Sequence, residues 1–296
     1  MAPSYKSAPE VKRGTRQRLQ YIEVMAYYTG IITRSDVVRA FGISDAAATK
    51  DLKLYGDLAP GNLHYQHRLF GFVPTDDFTP LFADLDPAVV LPLLANNLVS
   101  AGEDPQQGPL YGIPVEALPL PARFPSPEVL APVIRAIRHG RQVEVQYRSL
   151  SDAGHVGPRI LEPHALVNTG LRWHVRAYNH DNYDFRDFVL SRIHTATLLE
   201  DAAESTAAYD DDWVEQVVLQ LAPHPKLPET KRHNLLMDYA AEDGVIALTV
   251  RRALLGYVLQ RLAVDTTPDH ALNPDAWQLV VLNRDEIEPF AGWAFL

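Results

Sequence analysis

Between residues 143 and 193 apolar and polar side chains alternate so regularly that a small β-barrel is the expected fold. Val143, Val145, Tyr147 and Ser149 share one parity, while Glu144, Gln146 and Arg148 take the other. That two-residue period marks a half-buried strand. A second run sets Trp173, Val175 and Ala177 against Arg172, His174, Arg176 and Tyr178. A third sets Arg186, Phe188, Leu190 and Arg192 against Phe185, Asp187, Val189 and Ser191. Between the first two, Glu162, Pro163 and His164 interrupt an apolar segment, and Asn168, Thr169 and Gly170 read as a tight hairpin turn.

These strands are rich in arginine; indeed every basic Lys/Arg position between Lys53 and Lys226 is Arg. A guanidinium presents its donors as a fork that matches phosphate oxygens, so several converging on one small barrel would form an anion trap. The competing reading pairs them with acids such as Glu144, Glu162, Asp184 and Asp187. For any single arginine both readings stand, and for the group the anion site is favoured.

The motifs Tyr147-Arg148-Ser149, the run from Arg159 to His164, the run from Arg172 to Tyr178 and the run from Phe185 to Ile193 follow one another in this order. Together they resemble the WYL domain of bacterial transcription regulators, with Trp173-His174-Val175 at the namesake tripeptide, where only the Trp is kept. The resemblance implies a five-stranded, Sm/SH3-like β-barrel. It also implies a groove that senses a nucleotide-like or nucleic-acid effector, lined by Tyr147, Ser149, His164, Arg172, Trp173, Arg176, Arg186 and Arg192. Trp173 also reads as core.

The net charge of −10 would argue against nucleic acid if it were spread evenly, but it is not. Over residues 1–75 ten Lys and Arg stand against six Asp and Glu. A basic head on an acidic body is the asymmetry of a chain in which one module meets DNA. After a basic arm at 1–14, Leu19, Ile22 and Met25 recur at helical spacing up to Gly30. Thr33 and Asp36 have the capping-box spacing ahead of Val37, Val38 and Phe41, and Gly42 and Ser44 separate this helix from a third at 45–55. The third helix buries Ala48, Leu52 and Tyr55 and shows Ala46, Thr49, Lys50 and Lys53 outward. Small and basic residues on such a face suit a recognition helix in a major groove. Residues 63–73 read as a β-hairpin wing. The candidate DNA contacts are Ser44, Thr49, Lys50 and Lys53 with Tyr65, His67 and Arg68 of the wing.

The expected organisation is α+β and multidomain: a winged helix-turn-helix at 1–75, a helical connector and Pro-rich linker at 76–126, a WYL domain at 127–200, and a small α/β domain at 201–296. In the connector a helix is expected from Asp86-Pro87 to Ser100, and Ser126-Pro127 opens another that Gly140 ends. Downstream, strands at 213–221, 245–250 and 277–282 alternate with helices at 230–240 and 253–263, an α/β sandwich. The segments 221–227 and 238–265 resemble the C-terminal extension of WYL regulators that control phage-defence operons, the BREX- and CBASS-associated repressors. That resemblance implies dimerisation, with Arg251 and Arg252 facing a partner, the effector or structural acids.

Catalysis is not expected. The chain has no Cys, no Gly-x-Ser-x-Gly elbow, no phosphate-binding glycine loop and no His-Glu-x-x-His pair. Asp210, Asp211 and Asp212 cannot all face one ion, because adjacent side chains diverge, so they read as a solvated loop rather than a nuclease centre. No metal or cofactor is implied. No apolar run reaches eighteen residues and no signal-peptide core is visible at the N-terminus, so a cytoplasmic protein without membrane contact is expected. The functional expectation is a homodimeric repressor that binds an inverted-repeat operator in double-stranded DNA and responds to an anionic effector. The alternatives are a WYL activator, or an accessory protein of a defence system that docks a protein partner.

Overall fold

The computed structural model describes residues 9–100, 111, 113–116, 118–121, 123–150, 156–241 and 243–296, with all side chains in its helices and strands but those of 96–100 and 156. Most of the arm at 1–14 and much of the linker at 102–127 lie outside these residues. The chain divides into two compact units, Met1–Pro119 and Leu120–Leu296.

In the first unit, α1 (Arg13–Thr29), α2 (Arg34–Phe41) and α3 (Asp45–Leu58) precede a hairpin of β1 (Leu63–Gln66) and β2 (Gly71–Pro74). The caps act as their spacing implies. Thr33 Oγ1 accepts from the Asp36 amide while the Asp36 carboxylate accepts from the Thr33 amide, and Ser44 Oγ accepts from the Ala47 amide. Each supplies a partner to a backbone donor that the helix itself leaves unsatisfied. Leu19, Ile22, Val37, Ala48 and Tyr55 are fully buried where the helices meet. The wing is tied to this core by a bridge in which Ile32 and Phe72 exchange backbone hydrogen bonds of 2.9 and 2.8 Å. A side chain at Gly71 would meet the Ile31 side chain at 2.8 Å, which accounts for a glycine there.

Packing of this unit continues past residue 75. Glu23 is fully buried, and its carboxylate accepts from the amides of Leu81, Phe82 and Ala83 at 2.6–2.8 Å and from the Tyr55 hydroxyl at 3.1 Å. This clamps the stretch after the wing onto α1 and brings Phe82, Ala83 and Val90 into the same core. Val90 belongs to α4 (Pro87–Ser100).

In the second unit, α5 (Pro127–His139) lays Val129, Val133 and Ala136 on a five-stranded antiparallel sheet. Its strands are β3 (Arg141–Arg148), β4 (Val156–Asn168), β5 (Trp173–Asn179), β6 (Asp184–Val189) and β7 (Ile193–Ala202), in the spatial order β6-β5-β4-β3-β7. The edge strands β6 and β7 do not pair with each other, so the barrel expected from the family resemblance is replaced by an open sheet. The register slips between Pro163 and Ala165, which makes His164 a bulge residue. Bulges re-aim side chains, and Pro163, lacking an amide donor, sits where a ladder bond is dispensable.

A second sheet is built from β8 (Gln216–Pro223), β9 (Ile246–Arg251), β10 (Val264–Asp265) and β11 (Leu279–Val281), in the order β10-β11-β8-β9. Helices α6 (Asp211–Val214), α7 (Glu229–Asp238), α8 (Leu255–Arg261) and α9 (Arg284–Ala291) complete this half. Leu219, Leu221, Leu255, Leu259 and Ile287 form its core. The strand expected from Trp213 begins only at Gln216, because Asp210 caps the short helix α6 through the Trp213 amide at 3.2 Å. The helix expected at 253–263 is shorter, with a 3-10 turn over Arg252–Leu254 before α8.

Candidate functional site

The candidate DNA-contact residues belong to α3, its cap and the wing of the first unit. α3 exposes Thr49, Lys50 and Lys53, and neither lysine has an ion-pair partner among the described residues. Thr49 Oγ1 donates to the Asp45 carbonyl at 2.8 Å, which holds its methyl and hydroxyl in one orientation. Ser44 is exposed but committed to its cap. In the wing, Tyr65, His67 and Arg68 are exposed, and Tyr65 packs edge-on against both His67 and Phe72. Between α3 and the wing runs an open groove of about 700 Å³, lined by Thr33, Arg34, Thr49, Lys53, Tyr65 and Phe70 among others. Phe70 stands 80% exposed at the wing tip with φ +52°, an unusual conformation for a bulky residue.

The candidate effector residues divide into groups. Tyr147, Ser149, Arg186 and Arg192 line one cavity of about 700 Å³, together with Arg159, Asp187, Phe188 and Trp293. Tyr147 is buried edge-on against Phe188, and its hydroxyl accepts from the Val189 amide at 3.3 Å. Arg159 sits 5.7 Å above the Tyr147 ring and 3.7 Å from Asp181; Arg186 pairs with Asp184 at 2.8 Å but stays exposed. Arg192 has no carboxylate within ion-pair distance among the described residues. Sequence patterning missed Arg159 and Trp293. The first hides inside an apolar strand, and the second belongs to the last residues of the chain, which carry no motif. Trp293 is admitted to this wall by Gly256 in α8, where a Cβ would meet the indole at 2.4 Å.

His164 and Arg176 sit elsewhere, in a buried ionic centre. Arg176 donates through Nε and Nη2 to Asp210 at 2.7 and 2.8 Å, and His164 Nε2 donates to the same carboxylate at 3.0 Å. Asp187 lies 3.6 Å away from Arg176 and Asp212 4.0 Å. Burial opposes ionisation of Asp210, but Arg176 and His164 outweigh it and hold its pKa down at about 2. Asp210 is 1% exposed, which corrects the solvated reading for that member of the acidic triplet, while Asp211 stays exposed. A loop acid becomes a buried one here because the arginine that needs it lies on a strand 34 residues earlier. Trp173 packs against the α5–sheet core.

Arg172 lines neither place. It belongs to a smaller hollow at the β4–β5 turn with Arg123, Tyr257 and Arg261. Arg251 donates to the Trp213 carbonyl and lies over its ring at 4.9 Å, while Arg252 pairs with Glu215 at 2.6 Å and lies over Phe290. Both are structural contacts within this unit. Among the described residues no group of three or more His, Asp or Glu is arranged to hold a metal, and no helix is long and apolar enough to cross a membrane.

Three family models match successive parts of the chain. They describe the BrxR transcriptional regulator winged helix-turn-helix domain over residues 14–96, the WYL domain over 128–198, and the BrxR transcriptional regulator C-terminal dimerization domain over 216–287. Curated relatives match from end to end. The DNA-binding transcriptional repressor CapW of Pseudomonas aeruginosa is 35% identical over 291 residues, covering 97% of this chain and 95% of that protein. CapW of Escherichia coli is 36% identical over 290 residues, with 96% and 94% covered. CapW of Stenotrophomonas maltophilia is 33% identical, with 94% and 93% covered.

Proposed function

The chain belongs to the CapW family of DNA-binding transcriptional repressors, non-enzymatic regulators, and from that premise we propose how its own residues repress. Two copies joined through the C-terminal dimerization domain present two winged helices to an inverted-repeat operator. Its half-sites are spaced by about one helical turn, ~34 Å, or a multiple. α3 enters the major groove, where Thr49 meets base edges and Lys50 and Lys53 meet phosphates, while Ser44 approaches the backbone. Tyr65, His67 and Arg68 of the wing reach the flanking duplex. The observation that carries this reading is the pair of unpartnered lysines on α3, beside a groove walled by the wing.

The cavity holding Tyr147, Ser149, Arg159, Arg186 and Arg192 is proposed to take an anionic, nucleotide-like effector. Such a ligand relieves repression only if it binds more tightly to a form of the dimer that does not fit the operator. The regulated genes are proposed to be a phage-defence operon.

A gel-shift titration on the DNA upstream of the chain's own gene tests the DNA reading. Lys50→Ala with Lys53→Ala should weaken binding and flatten its salt dependence by about 1.8 in the log–log slope, since each lost phosphate contact removes about 0.9. An unchanged slope would show that α3 does not grip phosphates. Arg192→Ala should leave operator affinity intact and abolish induction.

A further inference from the structure

The smaller hollow lies between the β4–β5 turn and α8, measures about 160 Å³, and is lined by Arg123, Thr169, Arg172, Tyr257, Gln260 and Arg261 with Leu171. Three guanidiniums line it. None has a carboxylate within ion-pair distance among the described residues. Like charges brought together repel one another. Arg172 registers this: burial lowers its pKa, and Arg192 and Arg123 lower it further. Arg176, four residues further on and inside β5, shows the contrast. Burial works against its charge too, but Asp210 and Asp187 outweigh it and its pKa rises. Among the described residues the fold supplies a carboxylate to Arg176 and none to the three others.

The hollow is also held in shape. The Arg261 guanidinium lies against Gly170, whose φ is +80°, and a Cβ there would stand 3.0 Å from its Cζ. Arg172 Nε donates to Nε2 of His174 at 3.0 Å, and among the described residues both terminal nitrogens of Arg172 are without a partner. His174 is 1% exposed and stays neutral, because burial first, and then Arg172, Arg192 and Arg123, push its pKa down to about 4. Arginine cannot accept a hydrogen bond, so the single imidazole proton must sit on Nδ1. Nδ1 then donates to the Tyr257 oxygen at 3.1 Å, and the Tyr257 hydroxyl donates to Asp187 at 3.1 Å. This chain of donors runs in one direction only. It fixes the Arg172 side chain where its free fork serves the hollow.

We propose that this hollow is a second anion site, separate from the larger cavity, which takes a phosphate group between Arg172, Arg261 and Arg123. A space of this size holds a phosphate and a few waters at roughly 30 Å³ each, with any remaining part of the ligand outside. Guanidinium forks match phosphate oxygens two at a time. The hydroxyl of Thr169 already donates to the Arg172 carbonyl at 3.1 Å, so it stiffens the turn and leaves recognition to the arginines. The site does not depend on what the larger cavity binds.

Calorimetric titration of the full-length protein with inorganic phosphate, in low-salt buffer free of other phosphate, tests this. Saturable binding is expected. It should weaken by about tenfold or more in Arg261→Gln and in Arg123→Gln, the scale of one lost charge-assisted contact. Arg261→Lys, which keeps the charge and loses the fork, should fall between. Arg186→Gln, altered only in the larger cavity, should bind phosphate within about twofold of the unaltered protein. A parallel titration with adenosine monophosphate separates sources. Arg261-dependent binding of the nucleotide assigns the site to a phosphate ester, and binding of inorganic phosphate alone assigns it to the free ion. Absence of saturable phosphate binding overturns the proposal. So does an Arg186→Gln loss as large as that of Arg261→Gln, which would merge the two places into one site.

Discussion

Arg172, just before β5, and Arg176 within it lie four residues apart with the same parity, and they have opposite surroundings. Arg176 is 6% exposed and gripped by Asp210 through two hydrogen bonds, with Asp187 and Asp212 close by. Arg172 meets a histidine and other arginines. The difference shows that a basic residue on a strand acquires a role from what a distant segment brings to it. Asp210 comes from the cap of α6, and Arg261 comes from the end of α8. The paired arginine organises the fold, and the unpaired one is left for a ligand.

Three changes would break or sharpen this contrast. The largest effect is expected from Arg176→Ala, which leaves Asp210 and Asp187 buried without their cation. Breaking such a pair costs about 3–5 kcal/mol, measurable by urea denaturation, whereas Arg172→Ala should cost far less. Equal losses would erase the distinction. Replacing Arg176 and Asp210 together by apolar residues should cost less than the two single changes summed, because removing both charges removes the stranded one.

Gly256→Ala comes next. Its Cβ would stand 2.4 Å from the Trp293 indole, so the ring must move or the helix shift, at about 1–3 kcal/mol for overpacking. The tryptophan emission should change with it, reporting a displaced cavity wall. A variant as stable as the original, with the same emission, would mean that Trp293 does not depend on this close approach.

The smallest effect is a pH dependence. His174 has its pKa lowered to about 4 by burial and by three arginines, against roughly 6.5 in an unfolded chain. Between those values the unfolded state holds more protons, so this contribution is complete above about pH 6.5 and is lost as pH falls toward 4. Asp210 adds a similar loss only lower down, from roughly its unfolded value of 3.9 toward 2. The unaltered protein should therefore lose stability relative to His174→Gln between pH 6.5 and 5. A constant difference across that range would mean that His174 titrates normally and does not fix Arg172.

Much of the first unit was legible in local chemistry. Thr33, Asp36 and Ser44 cap the helices that their spacing announces, and the outward face of α3 carries the residues its periodicity places there. The clamp of Glu23 on the amides of residues 81–83 was not legible, since a lone Glu in a helix carries no sign of burial. In the second unit the strand alternation located β3, β5 and β6. The family resemblance implied one groove for Arg172, Arg176, Arg186 and Arg192, and the tertiary structure distributes them among three places.

Periodicity, capping residues and turn glycines act over a few positions, and for that reason the amino-acid order alone located most of the longer helices and strands and the apolar face of each. Whether the sheet closes, whether Asp210 faces solvent, and which arginines remain without counter-charge were decided only in three dimensions. Coulomb energy and desolvation depend on distance through space and on exclusion of water, and the groups that set them here lie 34 residues away in the case of Asp210 and Arg176.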